Sequence, residues 1–399
     1  MLKSQQILGS LGESIDHVRS FEASLTPEEL VRAMLKDHST DTLDVPMVLM
    51  DLGAVIERFN FWKQHMPNVE PWYAVKCNPD PKLISLLRSL GVCFDCATPF
   101  EINLVRSLGH PSEDIVYAHP TKPISHLKEA KASGVTLTVF DNEAELIKLS
   151  KFYPEARLLI RIAPIDDSNA QCPMSVKFGA HPSKVRDLLA KARELSANVI
   201  GVHFHVGSGC TDATAYRLAL TEARRVFDLA IEFGYNFTLL DIGGGFPGCD
   251  DHIVKFEDIA HEVNQLLPVL FPDTRVIAEP GRFFATSVCT LVTRIISKAS
   301  HSGKTRYHLN DGLYGSFNCL LYDHATLSPP WSLRQGKPLA ASIFGPTCDG
   351  LDKITDNCEL PDLDVGDLVI WDKMGAYTTA AATNFNGFAI ANYQYYYST

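Results

Sequence analysis

The stretch Tyr73-Ala74-Val75-Lys76-Cys77-Asn78 ends a short apolar run with a lysine. It is the first of eight such runs, and segments with helical spacing separate them. Later runs also end in polar or glycine residues, as in His205-Val206-Gly207-Ser208-Gly209, Gly243-Gly244-Gly245 and Glu279-Pro280-Gly281-Arg282. Chemistry at the C-terminal ends of parallel strands is typical of a (β/α)8 barrel. The pattern therefore predicts that fold, with Lys76 in its site.

The spacing of the runs favours this TIM barrel over an open sheet. The other runs cover residues 93–97, 115–119, 135–140, 158–162, 199–206, 239–242 and 276–278. Between them we predict helices at residues 81–90, 100–108, 124–132, 143–151, 183–195, 213–233 and 256–271. Strands that alternate with helices of this length form a parallel sheet.

The pattern changes after residue 286, where glycine and proline turns separate short apolar runs. We predict strands at residues 288–296, 307–310, 340–343, 367–371 and 388–396. We therefore interpret residues 46–285 as the barrel and residues 286–399 as an all-β domain of sandwich or barrel type. The N-terminal segment 1–45 is expected to join the β domain. In that segment Thr26, followed by Pro27, predicts a helix start.

Composition narrows the class of protein. The chain has 399 residues and a net charge of −11, and we find no basic stripe, which excludes nucleic acid as an expected partner. No apolar run reaches the ~18 residues that a membrane helix needs. Residues 1–10 lack the pattern of a signal peptide, so we expect a cytoplasmic protein with reduced thiols. The lone pair Cys93-Phe94-Asp95-Cys96 lies in a predicted strand and does not complete a zinc site.

Lys76 and the glycines favour a cofactor. A buried lysine is costly unless it is paired, and taken alone it indicates a salt bridge. Gly243-Gly244-Gly245 lets the backbone approach an anion closely, although three glycines can also form a plain turn. A lysine among anion-binding glycines suggests pyridoxal phosphate (PLP) held as a Schiff base. Glu279 could then keep the pyridine nitrogen protonated, or it could pair structurally with Arg282.

Other candidate residues have two interpretations each. His205 could stack on the cofactor ring or be a core histidine. His203 lies two residues earlier on the same strand face, but we find no third and fourth ligand and expect no metal. Cys348, in Thr347-Cys348-Asp349-Gly350, could donate a proton or be an ordinary loop thiol. Asp311, Asp323 and Tyr377 lie in predicted loops, where acids are usually solvated. They indicate a functional site only when they are taken together.

As a set, these motifs resemble the eukaryotic-type ornithine decarboxylases of the fold-type III PLP enzymes. The resemblance runs from about residue 45 to the end and rests on YAVKCN, FDCA, VKFGA, FHVGSGCTD, LDIGGGFPG, AEPGRFF, NDGLYGSFNC, LYDHA, FGPTCDGLD, MGAYT and FNGF. Several long motifs in one order are highly specific. The resemblance implies decarboxylation of L-ornithine to putrescine and CO2 in polyamine biosynthesis. It also implies a homodimer with shared active sites.

The resemblance also implies roles for individual residues. Lys76 would form the Schiff base, Glu279 would face the pyridine nitrogen, His205 would stack on the ring and Cys348 would protonate the product. Asp323 and Asp349, beside Tyr322, would hold the distal ammonium of the substrate. The remaining implied cofactor contacts are Asp95, Arg161, Ser208, Gly243, Gly244, Gly245, Gly281, Arg282 and Tyr377.

Alternative functions remain open, and the chain departs from the family motifs at some positions. A lysine or dual-specificity decarboxylase is the nearest rival, because one methylene is worth only ~1–3 kcal/mol. An inactive regulator of the antizyme-inhibitor kind is disfavoured because the cofactor residues, with Tyr314, are present; an antizyme-like partner stays open. The family commonly has Asn-Pro-Cys-Lys at residues 119–122 and Cys-Ala-Ser-Lys at residues 96–99, where this chain differs. Because the chain ends at Thr399, we expect no long degradation tail.

Overall fold

The computed structural model describes residues 18–22, 24–36, 41–164, 170–249, 253–301 and 304–399. They form two compact units: Phe59–Phe283, and the described residues up to Arg58 together with Phe284–Thr399. The signal-peptide prediction for residues 1–10, like the rest of segment 1–17, lies outside the described residues. The predicted domain boundaries at residues 46 and 286 stay a prediction.

The first unit confirms the (β/α)8 barrel. Among the described residues, eight parallel strands close on themselves, and the last strand pairs with the first through Ile277 opposite Glu70 and Ala278 opposite Pro71. In chain order the strands are Glu70–Ala74, Cys93–Cys96, Ile115–Tyr117, Leu137–Phe140, Arg157–Ile162, Val199–Phe204, Leu239–Asp241 and Arg275–Ala278. These are the eight runs that the sequence predicts.

Helices follow the barrel strands close to their predicted positions. They are Pro81–Ser89, Pro99–Ser107, Ile124–Ala132, Glu143–Phe152, Pro182–Glu194, Thr214–Glu232 and Phe256–Leu270, with 3₁₀ turns at Val75–Cys77 and Ser112–Asp114. Side-chain caps start several of them. Asp80, for example, accepts hydrogen bonds from the amides of Lys82 and Leu83 at 3.0 and 2.9 Å. A small antiparallel pair, Ala170–Cys172 with Ser208–Cys210, adds to this unit.

Apolar side chains fill the barrel interior. Trp72, Val116, Val139, Leu159 and Ile277 belong to one buried cluster, and each of these five residues is at most 1% exposed. A packed interior of this kind leaves the C-terminal ends of the strands as the place for a site.

The second unit is a sheet of eight strands among the described residues. Along the main path the order is Arg19–Phe21, Asn392–Ser398, Met47–Asp51, Cys289–His301, Lys304–Leu309, Leu339–Phe344 and Lys353–Leu360, and Leu368–Trp371 pairs beside Cys289–His301. The predicted all-β domain is confirmed. Two points were not predicted: Lys353–Leu360 is a strand, and Met47–Asp51 belongs to this sheet.

Short helices complete the fold. They are Pro27–Leu35, Leu52–His65, Arg282–Ala285 and Cys319–Tyr322, with 3₁₀ turns at Asp41–Asp44, Ser316–Asn318, Thr379–Ala381 and Phe385–Gly387. The predicted helix start is confirmed, because Thr26 and Glu29 form a capping box with Pro27 in the first turn. In the part of the chain that the structure describes, no helix combines the length and apolar character that crossing a bilayer requires.

Candidate active site

Lys76 lies at the C-terminal end of the first barrel strand, where the chain turns through Val75–Cys77. Its Nζ forms an ion pair with Asp95, which lies in the neighbouring strand Cys93–Cys96. Asp95 is fully buried, whereas the Lys76 side chain remains 34% exposed and reachable from the site. Burial, followed by the charge of Glu279, raises the pKa of Asp95 to about 7, although Lys76 opposes the rise. Lys76 is thus paired with a carboxylate, and its side chain is still accessible to a ligand.

Glu279 follows the last barrel strand and is 4% exposed. Its Oε2 lies 3.2 Å from His203 Nε2. His203, Asp241 and Glu279 bring potential ligand atoms within 4.8 Å of one another, so the structure supplies the third side chain that we did not find. Glu279 pairs with His203 here, and Arg282 donates to Ser208; the alternative pairing of Glu279 with Arg282 stays a prediction.

His205 and Arg161 reach the same rim from neighbouring strands. His205 Nδ1 accepts a hydrogen bond from the Gly207 amide at 3.0 Å, which leaves the other ring nitrogen to carry the proton. Burial, followed by the charge of Arg161, lowers the pKa of His205 well below its ordinary value, so its ring is neutral. The Arg161 guanidinium lies 5.2 Å from the centre of the Phe178 ring.

The three glycines form a cradle that no other residue could form. Gly243 and Gly245 have φ values of +62° and +112°. A Cβ on Gly243 would lie 2.2 Å from the Phe204 carbonyl oxygen, and one on Gly244 would lie 2.7 Å from the Glu279 carbonyl oxygen. Close approach of the backbone at glycines suits the binding of a phosphate, and the Gly243 amide already donates to Asp241 Oδ1.

A cation lies beside this cradle. Arg282, directly after Gly281, donates to Ser208 Oγ at 2.8 Å. Tyr216, which we did not predict, donates to the Gly244 carbonyl at 2.9 Å and holds the cradle from behind. An aromatic residue on a helix face carries no signal for this role in the sequence. The barrel residues predicted for the cofactor therefore converge on one rim.

The other predicted residues lie in the second unit. Cys348 is exposed, and its amide donates to Asn386 Oδ1 at 3.0 Å. Tyr314 donates to Asp349 Oδ2 at 2.5 Å and stacks on Phe385 with ring centres 4.3 Å apart. Tyr377 has a φ of +56°, a strained value for a residue other than glycine. Asp323 is 6% exposed, and the adjacent Tyr322 is 71% exposed.

One acid of this unit escaped prediction. Asp352 is buried and accepts from the amides of Leu313 and Thr347 at 2.7 and 3.0 Å, and from Thr347 Oγ1 at 2.6 Å. It orders the loop that carries Cys348. Its position in the run Asp349-Gly350-Leu351-Asp352 was visible in the sequence, but its three donors were not.

The two departures from the family motifs have local explanations. Thr98 is the N-cap of helix Pro99–Ser107, and Pro99 occupies its first turn. Thr121 donates its amide to His119 Nδ1 at 3.1 Å, which closes a turn before Lys122. Both departures therefore lie in backbone turns that follow barrel strands.

Comparison with known proteins shows the family to which the chain belongs. The family model for the pyridoxal-dependent decarboxylase, pyridoxal binding domain, matches residues 52–286, more than half of the chain. The chain belongs to this family. Ornithine decarboxylase of Mus musculus is 43% identical over 397 residues, 94% of this chain and 85% of that protein. Antizyme inhibitor 2 of Xenopus laevis is 45% identical over 379 residues, 90% of this chain and 82% of that protein.

A solved relative agrees with the fold. The lysine/ornithine decarboxylase complexed with putrescine from Vibrio vulnificus aligns with a TM-score of 0.85 at 34% identity, covering 93% of this chain and 99% of that chain. The predicted resemblance is confirmed, and the chain is a PLP-dependent carboxy-lyase.

The barrel rim fits this cofactor. The glycine cradle and Arg282 suit a phosphate, and Lys76 suits an aldehyde. Four buried polar atoms at the rim make no hydrogen bond to the described residues: Asp95 Oδ1, His203 Nδ1, Asp241 Oδ2 and Glu279 Oε1. Unpartnered buried atoms of this kind are what a polar ligand would satisfy.

Proposed function

We propose that this protein decarboxylates L-ornithine to putrescine and CO2. The similarity to the mouse ornithine decarboxylase over 94% of the chain carries the proposal. When bound, PLP supplies the electron sink that makes loss of CO2 from an amino acid feasible. Each predicted barrel residue is present at a rim that suits this cofactor.

In this proposal the barrel residues hold the cofactor and set its electronics. Lys76 attaches it, and Glu279 faces its ring nitrogen and keeps that nitrogen protonated. His205, neutral and buried, packs on the ring face. The phosphate contacts in the barrel are Ser208, Gly243, Gly244, Gly245, Gly281 and Arg282, and the further polar contacts are Asp95 and Arg161. The phosphate contact implied for Tyr377, which belongs to the second unit, stays a prediction.

The residues of the second unit act on the substrate. Cys348 delivers a proton to the product carbon, and its exposure in a loop suits a group that must reach a ligand. Asp323, Asp349 and Tyr322 bind the distal ammonium, because a buried cation without a counter-charge is costly. Tyr314 orients Asp349 through its hydrogen bond. A homodimer with shared sites, a cytoplasmic location and an antizyme-like regulator stay predictions.

Lysine is the competing substrate. A lysine/ornithine decarboxylase shares this fold, and one methylene changes binding by only ~1–3 kcal/mol. An inactive regulator is a second candidate because of the similarity to antizyme inhibitor 2. The complete set of cofactor residues favours the enzyme.

The test is CO2 release by the PLP-loaded protein with L-ornithine, L-lysine, L-arginine and diaminopimelate side by side. We expect the highest kcat/KM with ornithine. Equal or faster release from lysine would transfer the assignment to lysine or dual specificity. Absence of release from all four substrates would favour the regulator.

Two variants test the residue roles. Lys76→Ala should abolish the visible absorbance of the attached cofactor, whereas Lys128→Ala, at an exposed helix lysine, should not. Cys348→Ala should slow turnover or divert it to a transaminated product, and Cys358→Ala serves as the thiol control. Unchanged turnover in both Lys76→Ala and Cys348→Ala would refute the site.

A further inference from the structure

Glu279 lies against two other buried ionisable side chains from neighbouring strands. His203 is directly opposite Asp241 across adjacent barrel strands, and Glu279 follows the strand on the other side of Asp241. His203 and Asp241 are 0% exposed. The parallel register therefore brings one imidazole and two carboxyl groups together where water does not reach.

The two carboxylate oxygens of Glu279 differ in their hydrogen bonds. Oε2 lies 3.2 Å from His203 Nε2, and Oε1 has no partner among the described residues. Asp241 uses Oδ1 to accept from the Gly243 amide at 2.9 Å, and its Oδ2 has no partner among the described residues. Oε1 is thus the oxygen left for a ligand.

The charges of the three groups differ. Burial, followed by the charge of Glu279, raises the pKa of Asp241 well above its ordinary value. Burial lowers the pKa of His203, although Glu279 opposes this, so His203 is neutral and donates from Nε2. Burial would raise the pKa of Glu279, but the hydrogen bond from His203 and the charge of Lys76 hold it below its ordinary value.

Glu279 is therefore the anion of the cluster, and His203 donates to it from Nε2. The other ionisable groups that face the cluster from the surrounding strands are Lys76, Asp95, Arg161 and His205. The two cations among them, Lys76 and Arg161, favour the same charge on Glu279.

We propose that His203 is a positioning residue that holds Glu279 as an anion, with Oε1 directed at the pyridine nitrogen of the cofactor. This inference rests on the role proposed for Glu279. Without the hydrogen bond from His203 the carboxylate would be more basic and would take the proton from the ring nitrogen. His203 therefore keeps that proton on the cofactor.

The experiment measures the ring proton directly. PLP labelled with ¹⁵N at the pyridine nitrogen is bound to the protein without substrate, and its ¹⁵N chemical shift reports protonation. The wild type should give a protonated ring nitrogen. In His203→Leu one charge-assisted hydrogen bond is lost, which shifts the proton equilibrium towards Glu279 by about 10- to 100-fold. The fall in kcat should follow the loss of ring protonation, while KM changes less.

Matched variants separate positioning from packing. His203→Gln keeps an N–H donor and should restore the ¹⁵N shift and most of kcat. His110→Leu makes the same change at another buried histidine, which packs on Phe94 away from Glu279, and should leave the shift at the wild-type value. The shift measured in His203→Gln keeps the proposal testable if His203→Leu does not fold.

Three results would overturn the inference. They are a wild-type ¹⁵N shift in His203→Leu, an equal change in His110→Leu, or a changed shift in His203→Gln. Failure of the proposed function is distinct from these, because the wild type would then show a protonated ring nitrogen and yet release no CO2 from any amino acid tested.

Discussion

Lys122 provides a test of the barrel that does not depend on catalysis. It is 2% exposed, and its Nζ lies 3.1 Å from Glu145 Oε1. It also donates to the carbonyl oxygens of His119 and Val139 at 2.9 and 2.8 Å. Burial outweighs the charge of Glu145 and lowers the pKa of Lys122 from 10.5 to about 8. The protonated lysine is thus less favourable in the folded protein than in the unfolded chain.

The sign of the effect follows from proton binding. Between pH 8 and pH 10.5 the unfolded chain binds a proton that the folded protein has released, so the free energy of unfolding rises with pH in this range. The full difference corresponds to about 3 kcal/mol, and about 2 kcal/mol of it should be gained between pH 7 and pH 9.5. Lys122→Met removes this contribution, while Glu145 keeps Lys148 at 2.5 Å.

The assay is urea unfolding of the apoprotein at pH 7 and pH 9.5, followed by tryptophan fluorescence. The wild type should gain about 2 kcal/mol more between the two pH values than Lys122→Met does. Other groups titrate equally in both proteins and cancel in this difference. Lys131→Met, at an exposed lysine paired with Glu155, is the control and should behave as the wild type. Identical pH dependence in the wild type and Lys122→Met would refute the reasoning.

Three further predictions concern single substitutions. Gly244→Ala places a Cβ 2.7 Å from the Glu279 carbonyl oxygen and 3.0 Å from His205 Nε2, so cofactor titration should show about tenfold weaker binding. Thr98→Ala removes the N-cap of a barrel helix and should cost about 1 kcal/mol in urea unfolding, with kcat unchanged; a large fall in kcat would contradict its purely local role. Asp352→Ala leaves three donors unpaired and should lower the free energy of unfolding by at least about 3 kcal/mol, and a loss under 1 kcal/mol would show that water replaces the carboxylate.

Local patterns predicted the barrel because each strand carries its own signal. The eight apolar runs, the caps such as Asp80 and the glycines with positive φ are all readable in a few neighbouring residues. Met47–Asp51 shows the limit of this approach. Its apolar character predicts a strand, but its partners, Cys289–His301 and Asn392–Ser398, are more than 200 residues away. No short pattern specifies such a pairing.

The residues of the candidate site also fall into two groups: those that local sequence patterns predict and those that they do not. Lys76, Glu279 and the three glycines were found because their residue types are unusual at strand ends. Asp241 was missed because an acid after an apolar run is common, and its importance comes from lying opposite His203 on the next strand. Strand register, which sets that contact, becomes known only once the barrel closes.

The unpartnered atoms at the barrel rim decide between an enzyme and an inactive relative on physical grounds. Asp95, Asp241 and Glu279 each keep one buried oxygen without a hydrogen bond to the described residues, and His203 keeps one ring nitrogen. Each such atom costs roughly 1–3 kcal/mol in a protein interior. A protein that only bound a partner through its surface would not need buried polar atoms that lack hydrogen bonds. A ligand with a ring nitrogen, a phosphate and an aldehyde offsets it, so the rim is built for the cofactor that decarboxylation requires.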